Sequence, residues 1–162
     1  MMHATDIALQ IKNKYSSSVV GINVQRERRL WLELVTGDFR KCFERLIKED
    51  GFEILVTITG LDTGEKYEVI YHMSDKEGRV LNIKISIDRD NPVVSTITDL
   101  FPAAELSERE LMDLLGIKVE GLPEGRRYPL PDNWPQGQYP LRKDWDPSVL
   151  DKKIEKSGDK ND

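Results

Sequence analysis

The residues best equipped for chemistry fall in one short stretch. Glu108, Arg109, Glu110 and Asp113 form the densest charge group in the chain, and Arg126 and Arg127 follow downstream. Carboxylates and guanidiniums in such a pattern make ion pairs. The planar guanidinium fork meets a carboxylate in two parallel hydrogen bonds, a geometry that lysine does not offer. Two readings stand side by side. The group is a set of interface ion pairs, or a lock on the downstream segment with Arg126 and Arg127 as mates. Alternatively it is helix-end electrostatics, with acids answering the dipole and Arg109 paired to Asp113 at i, i+4.

Bond-making chemistry finds less support. Asp62-Thr63-Gly64 is the triplet of two-aspartate peptide hydrolases. That chemistry needs a second carboxylate sharing a proton at close range. The triplet lies between alternating runs, where Asp and Gly are ordinary turn residues, and a turn is the reading adopted. His72 has polar neighbours on the outward side of a strand and no second histidine or cysteine nearby, so it reads as a surface residue rather than a metal ligand. Cys42 falls on an apolar stripe and reads as a small core residue. A single cysteine excludes an intrachain disulfide and a cysteine-ligated iron–sulfur cluster. No nucleophile–base pair, phosphate loop or metal-ligand spacing is visible.

The elements that position these residues follow from hydrophobic spacing. Thr5 is placed to cap a short helix carrying Ile7, Ala8, Ile11 and Tyr15 on one face. Val19 to Val24 is β-rich, and Leu30, Leu32 and Leu34 alternate with polar or outward neighbours, with Gln25–Arg29 as a hairpin connection. Phe39, Cys42, Phe43, Leu46 and Ile47 form one helical stripe, with Asp38 as N-cap and Gly51 as stop. Three strands follow, each with one shared face: Phe52, Ile54, Val56 and Ile58; Tyr67, Val69, Tyr71 and Met73; Leu81, Ile83, Ile85 and Ile87. Thr98 to Phe101 suggests a helical turn. A helix over Glu108 to Leu115 has Ser107 and Glu110 as a capping box, Leu106 and Leu111 as a staple and Gly116 as its close. The pattern predicts an α+β fold: a two-layer sandwich of helices on a mainly antiparallel sheet, with an extended Pro-rich C-terminal segment.

Six of the eight prolines lie in 123–147, a density that no regular element survives. The same stretch holds Arg126, Arg127, Tyr128, Trp134, Tyr139, Arg142 and Trp145, including two of three tryptophans. Disordered linkers are poor in such residues, whereas Trp, Tyr and Arg dominate interface hot spots. A pre-extended chain also loses less entropy on docking. The composition favours a partner-binding segment over one that folds back on its own sheet. Arg142, Lys143 and Asp144, held extended between Pro140 and Pro147, read as an anchor on that partner, against the alternative of a solvated cluster beside Trp145. The expected divisions are an α+β domain over 1–116, an extended segment over 117–150 and a Lys- and Asp-rich disordered tail over 151–162.

Composition bounds the rest. The 162 residues suit one domain, 38% hydrophobic and 33% charged. A net charge of −5 with scattered Lys and Arg gives nucleic acid no footprint. No run of about eighteen apolar residues is present. Met1 to Gln10 lacks a secretory apolar core, so a cytoplasmic location is expected, with membrane contact through a partner.

Residues 91–146 carry a resemblance. Asn91-Pro92, Ser95, Thr98-Asp99, Glu108-Arg109-Glu110, Asp113, Gly116-Ile117, Gly121, Pro123, Arg126-Arg127 and Pro140-Leu141-Arg142-Lys143-Asp144 occur in the order and spacing of a known family. It resembles the thirty-kilodalton subunit of NADH–quinone oxidoreductase, a family that includes related subunits of membrane-bound nickel–iron hydrogenases. The resemblance implies a non-catalytic subunit without a cofactor, its tail lying on a large catalytic subunit. That partner is the quinone-site subunit in complex I and the nickel–iron subunit in a hydrogenase. Iron–sulfur subunits and antiporter-like membrane subunits are further implied partners, and the nickel–iron centre and iron–sulfur clusters are expected in partner subunits. The implied location is the cytoplasmic side of the cell membrane. Gly121-Leu122-Pro123-Glu124-Gly125-Arg126-Arg127 departs from the Gly-His-Pro-Asp-Leu-Arg-Arg typical of NADH dehydrogenases. Together with the short chain, this favours the hydrogenase-type branch, with complex I proper second. A free-standing α+β enzyme and a transient adaptor are the readings of other classes.

Overall fold

Alternation sets the sheet. In the computed structural model, which describes residues 3–150, β1 (Val19–Arg26) and β2 (Arg29–Leu34) form a hairpin, and β3 (Ile54–Asp62), β4 (Lys66–Ser74) and β5 (Val80–Asp88) form an antiparallel meander. β2 joins β5 in parallel, with Leu30 opposite Leu81 and Leu34 opposite Ile85, giving the order β1-β2-β5-β4-β3. A parallel join requires a crossover connection. Here the crossover contains α2 (Phe39–Asp50), which closes on Gly51 at φ 77° as its sequence predicts.

One face of the sheet is apolar and carries the helices. α1 (Ala4–Lys14) brings Ile7, Ala8 and Ile11, and α2 brings Phe39, Cys42, Phe43 and Leu46. They meet the inward rows of β2, β4 and β5, which are almost fully buried from Leu30 to Ile87. Phe39 stacks on Tyr71 with ring centres 4.5 Å apart. Each large side chain removed from water here stabilises the fold by about 1.5–3 kcal/mol. The opposite face is mostly polar. His72 forms a rung across it, 3.0 Å from Thr59 Oγ1 and 2.7 Å from Asn82 Oδ1. The Asn82 amide donates to the Leu30 carbonyl at 3.0 Å. The chain is thus an α+β sandwich on a mainly antiparallel sheet.

Three local expectations are corrected. First, Phe52, Ile54, Val56 and Ile58 do not share a face: Phe52 and Ile58 are buried, whereas Ile54 and Val56 are exposed. Phe52 precedes the strand, and a bulge between Leu55 and Thr57 puts Ile54 and Ile58 on opposite faces. Leu55 opposes Met73 and Ile58 opposes Tyr71, so both face the helices and Val56 is the extra residue on this edge strand. Second, Thr5 does not cap, and Asp38 stands at the N-cap of α2 without a side-chain bond to the helix. α1 already begins at Ala4, and the Asp38 carboxylate accepts from Ser18 Oγ at 2.8 Å. Third, the Ser107–Glu110 capping box and its staple do not form. α3 spans Ala104–Glu110 and continues as a π-helical turn, Leu111–Leu115, to Gly116 at φ 71°. Ser107 is therefore inside the helix and Leu106 is exposed. The helix is led in by a turn at Pro102 and Ala103, where the fixed φ of proline suits the approach. The Phe101 carbonyl accepts from Ala104 N–H at 2.9 Å.

The π-helical turn settles directly on β3. A Cβ built on Gly60 would lie 2.5 Å from both Leu111 Cδ2 and Leu115 Cδ1. Gly60→Ala is expected to lower stability by about 1–3 kcal/mol, because overpacking displaces well-packed leucines. Urea unfolding measures this, and an unchanged midpoint would show that the leucines move aside freely. β6 (Val93–Ser95) follows the meander, and past Gly116 the chain enters β7 (Lys118–Glu120), which pairs with it in parallel and buries Val119 beside Ile117. Residues 121–147 then run in turns and extended stretches. The disordered tail expected over 151–162 lies outside the described residues.

Candidate functional site

α3 and the segment after it form the candidate site, held together by three clusters of polar contacts. The first fixes α3. Glu108 is completely buried and accepts from Thr96 Oγ1 at 2.5 Å and Ile97 N–H at 2.7 Å. Burial pushes its carboxyl above the usual range, and those two hydrogen bonds oppose the shift. Arg40 steadies this donor segment by donating to the Thr96 carbonyl at 2.7 Å while pairing with Asp99. Arg109 does not pair with Asp113. It pairs with Glu105, one turn earlier, at 2.9 Å and reaches the Pro123 carbonyl at 2.8 Å. Gly125 lies flat against its guanidinium, where a Cβ would collide with Nη2.

The second cluster is the lock between α3 and the arginine pair, and it uses one arginine only. Arg127 Nε lies 3.2 Å from Asp113 Oδ2, and Nη2 lies 3.1 Å from Oδ1. The same carboxylate accepts from Leu130 N–H at 3.2 Å, and Arg127 Nη1 donates to the Trp134 carbonyl at 3.2 Å. Arg126 points away: it is largely exposed and meets exposed Asp132 at 3.0 Å.

The third cluster ties the end of the segment to the sheet. Arg142 Nε donates to the Leu115 carbonyl at 2.7 Å, so a cation answers the C-terminal end of the helix. Its guanidinium lies 4.3 Å from the Tyr139 ring centre and 5.3 Å from that of Tyr67. Gly116 is needed here, since a Cβ would fall 2.5 Å from Arg142 Nη2. Lys143 N–H donates to Asp62 Oδ2 at 2.9 Å, and Lys143 Nζ reaches the Thr63 carbonyl at 3.1 Å. Asp62 also accepts from Gly64 N–H at 2.8 Å and from Arg89, which in turn meets Asp144 at 3.1 Å. Burial would raise the Asp62 carboxyl, but the Arg89 and backbone donors outweigh it and hold it at about 2. Trp134 and Trp145 face each other at 6.2 Å, and both indole N–H groups donate to Gln138.

Sequence reasoning missed Asp62 and Arg89 as parts of this site. Asp62 does form the expected turn, but its mate Lys143 is 81 residues downstream, a separation that no local pattern encodes. Of the nominated residues, Glu108, Arg109, Asp113, Arg127, Trp134, Tyr139, Arg142, Lys143, Asp144 and Trp145 engage their own chain. Tyr128 is exposed, Arg126 has only its surface pair, and Glu110 is half-buried without a hydrogen bond or ion pair among the described residues. Tyr128, Arg126, Leu106 and Leu130 line an open bay of about 580 Å³ between α3 and the segment. The arrangement is a set of ion pairs and hydrogen bonds around an open bay. Among the described residues, no three His, Cys, Asp or Glu side chains gather to hold a metal ion, and no helix is long and apolar enough to cross a membrane.

Residues 32–149 match the family described as the respiratory-chain NADH dehydrogenase 30 Kd subunit. The beta subunit of the membrane-bound hydrogenase of Pyrococcus furiosus is 32% identical over 152 residues, 89% of this chain and 87% of that one. An NADH-quinone oxidoreductase subunit of Moorella thermoacetica is 37% identical over 103 residues, 62% of this chain and 68% of that one. Among solved structures, a chain of the membrane-bound sulfane sulfur reductase, an archaeal respiratory membrane complex, superposes with a TM-score of 0.80 at 32% identity, covering 98% of this chain and 94% of its own. With most of its sequence matched, including the clamped segment, the chain belongs to the respiratory-chain NADH dehydrogenase 30 Kd subunit family.

Proposed function

We propose that this chain is a non-catalytic accessory subunit of a membrane-bound, ion-translocating redox complex, docked on that complex's large catalytic subunit. The hydrogenase-type branch is favoured, because a relative matching 89% of the chain and a solved structure matching 98% of it come from a membrane-bound hydrogenase and a sulfane sulfur reductase. Complex I proper is the second reading, supported by the quinone oxidoreductase relative. In either case the redox centres, a nickel–iron site or iron–sulfur clusters, belong to partner subunits, and the chain sits peripherally on the cytoplasmic side.

The observation that carries the docking is the open bay beside α3. Its walls hold the exposed Leu106 of α3, with Tyr128 and Arg126 on a segment that the chain's own contacts have already fixed. A pre-fixed aromatic and cationic surface binds with little ordering cost. The segment before residue 151 thus folds back and presents an outer surface at once, so the two sequence readings need not compete.

Purification of the tagged chain from membranes in mild detergent tests this. Recovery with a large catalytic subunit, iron–sulfur subunits and antiporter-like membrane subunits is expected, and the large subunit's metal ligands then separate hydrogenase from quinone chemistry. Recovery as a monomer without partners contradicts the proposal.

A further inference from the structure

Glu110 differs from its neighbours on α3. Glu108, Arg109 and Asp113 all direct their polar atoms into the chain. Glu110 lines a groove of about 240 Å³ between α3 and β3, with Ser107 beside it and Ile58, Leu111, Leu114 and Leu141 as apolar walls. It is half-buried and has no polar partner among the described residues. A carboxylate shielded by apolar walls loses hydration and gains nothing in return until a cation reaches it. The nearby cations are engaged elsewhere: Arg109 with Glu105 and Pro123, Arg142 with Leu115 and the tyrosine rings. β3 is an edge strand, with β4 on one side only, and Leu141 at the groove is 55% exposed.

We infer that this groove receives an arginine or lysine side chain, carried on an apolar segment of a protein partner that lies across α3 and the edge of β3. The inference rests on the accessory-subunit reading and adds a contact separate from the bay at Arg126 and Tyr128. Charge complementarity selects the occupant. A lone carboxylate repels nucleic acid and supplies too few ligands for a metal ion. An apolar groove with one acid suits a cation on a long apolar stem.

The test uses the full chain in its purified complex, as wild type, Glu110→Gln and Glu110→Arg. Isolated variants should unfold at the wild-type midpoint, because Glu110 has no internal bond to lose. In the complex, Glu110→Gln is expected to weaken association about tenfold and Glu110→Arg about a hundredfold. Amide exchange over residues 56–61 and 107–115 should slow when the wild-type chain enters the complex. Unchanged affinity, with no slowing in an intact complex, overturns the groove proposal and leaves the subunit reading standing. Failure of the wild-type chain to form any complex removes the subunit reading instead. If the isolated chain already shows the same slowing, and Glu110→Gln abolishes it without changing affinity, the occupant is the chain's own Lys-containing segment 151–162, which also overturns the partner proposal.

Discussion

Asp113→Ala should free the segment after α3 and cost the isolated protein about 2–3 kcal/mol. One carboxylate organises Arg127 and the Leu130 amide, and it is mostly buried, with 11% of its side chain exposed. Removing it leaves a partly buried guanidinium and a backbone N–H without their acceptor. That penalty exceeds the net worth of the bonds themselves. For a chain of this size the melting temperature should fall by roughly 5–10 °C. Exchange of amides over 127–134 should quicken while those in β4 and β5 stay slow. Arg127→Lys should recover little, since an ammonium cannot make the forked contact with Asp113 and also reach the Trp134 carbonyl. Coincident melting of variant and wild type would show that the lock contributes nothing.

Acid should release the other end of the segment first. The Asp62 carboxyl is held at about 2 in the folded protein, below its ordinary value. A group with a depressed folded pKa stabilises fully above the unfolded value and loses that contribution as pH falls through the folded one. The contacts from Asp62 to Arg89 and Lys143 should therefore hold above about pH 4 and fail progressively towards pH 2. Trp145 lies two residues past Lys143, so its fluorescence reports the release, while far-UV circular dichroism follows the sheet. A fluorescence transition between pH 4 and 2 that precedes loss of the sheet is the expected result. Asp62→Asn should show the released signal at neutral pH and no such transition, with a stability loss of about 2 kcal/mol for the charge-assisted bonds removed. A variant that keeps the wild-type signal at every pH would exclude Asp62 as the anchor.

The parts of this structure that were readable from sequence are those set by short periods. The inward rows of β4 and β5 and the stripe of α2 were visible because each repeats one chemical choice over four or more positions. The β3 bulge was not, because one extra residue at Val56 breaks alternation without any Gly or Pro to mark it. The start of α3 was misplaced for a different reason: Ser107 and Glu110 imitate a capping box, while the helix begins at Ala104, after a turn at Pro102 and Ala103. At the site, the charge types of Asp113 and Arg127 pointed to a lock. Which acid met which base depended on the turn between them, and Arg126 was left outside. Asp62 and Arg89 were invisible as anchors because their mates arrive from the far end of the chain.

The central claim is that the fixed segment presents a docking surface for a large catalytic subunit. A photo-crosslinking residue placed at Tyr128, in the full chain within membranes, tests it most directly. The account predicts a crosslink to the subunit that bears the catalytic metal or quinone site. A crosslink found only within the chain itself, in a complex otherwise intact, would contradict it.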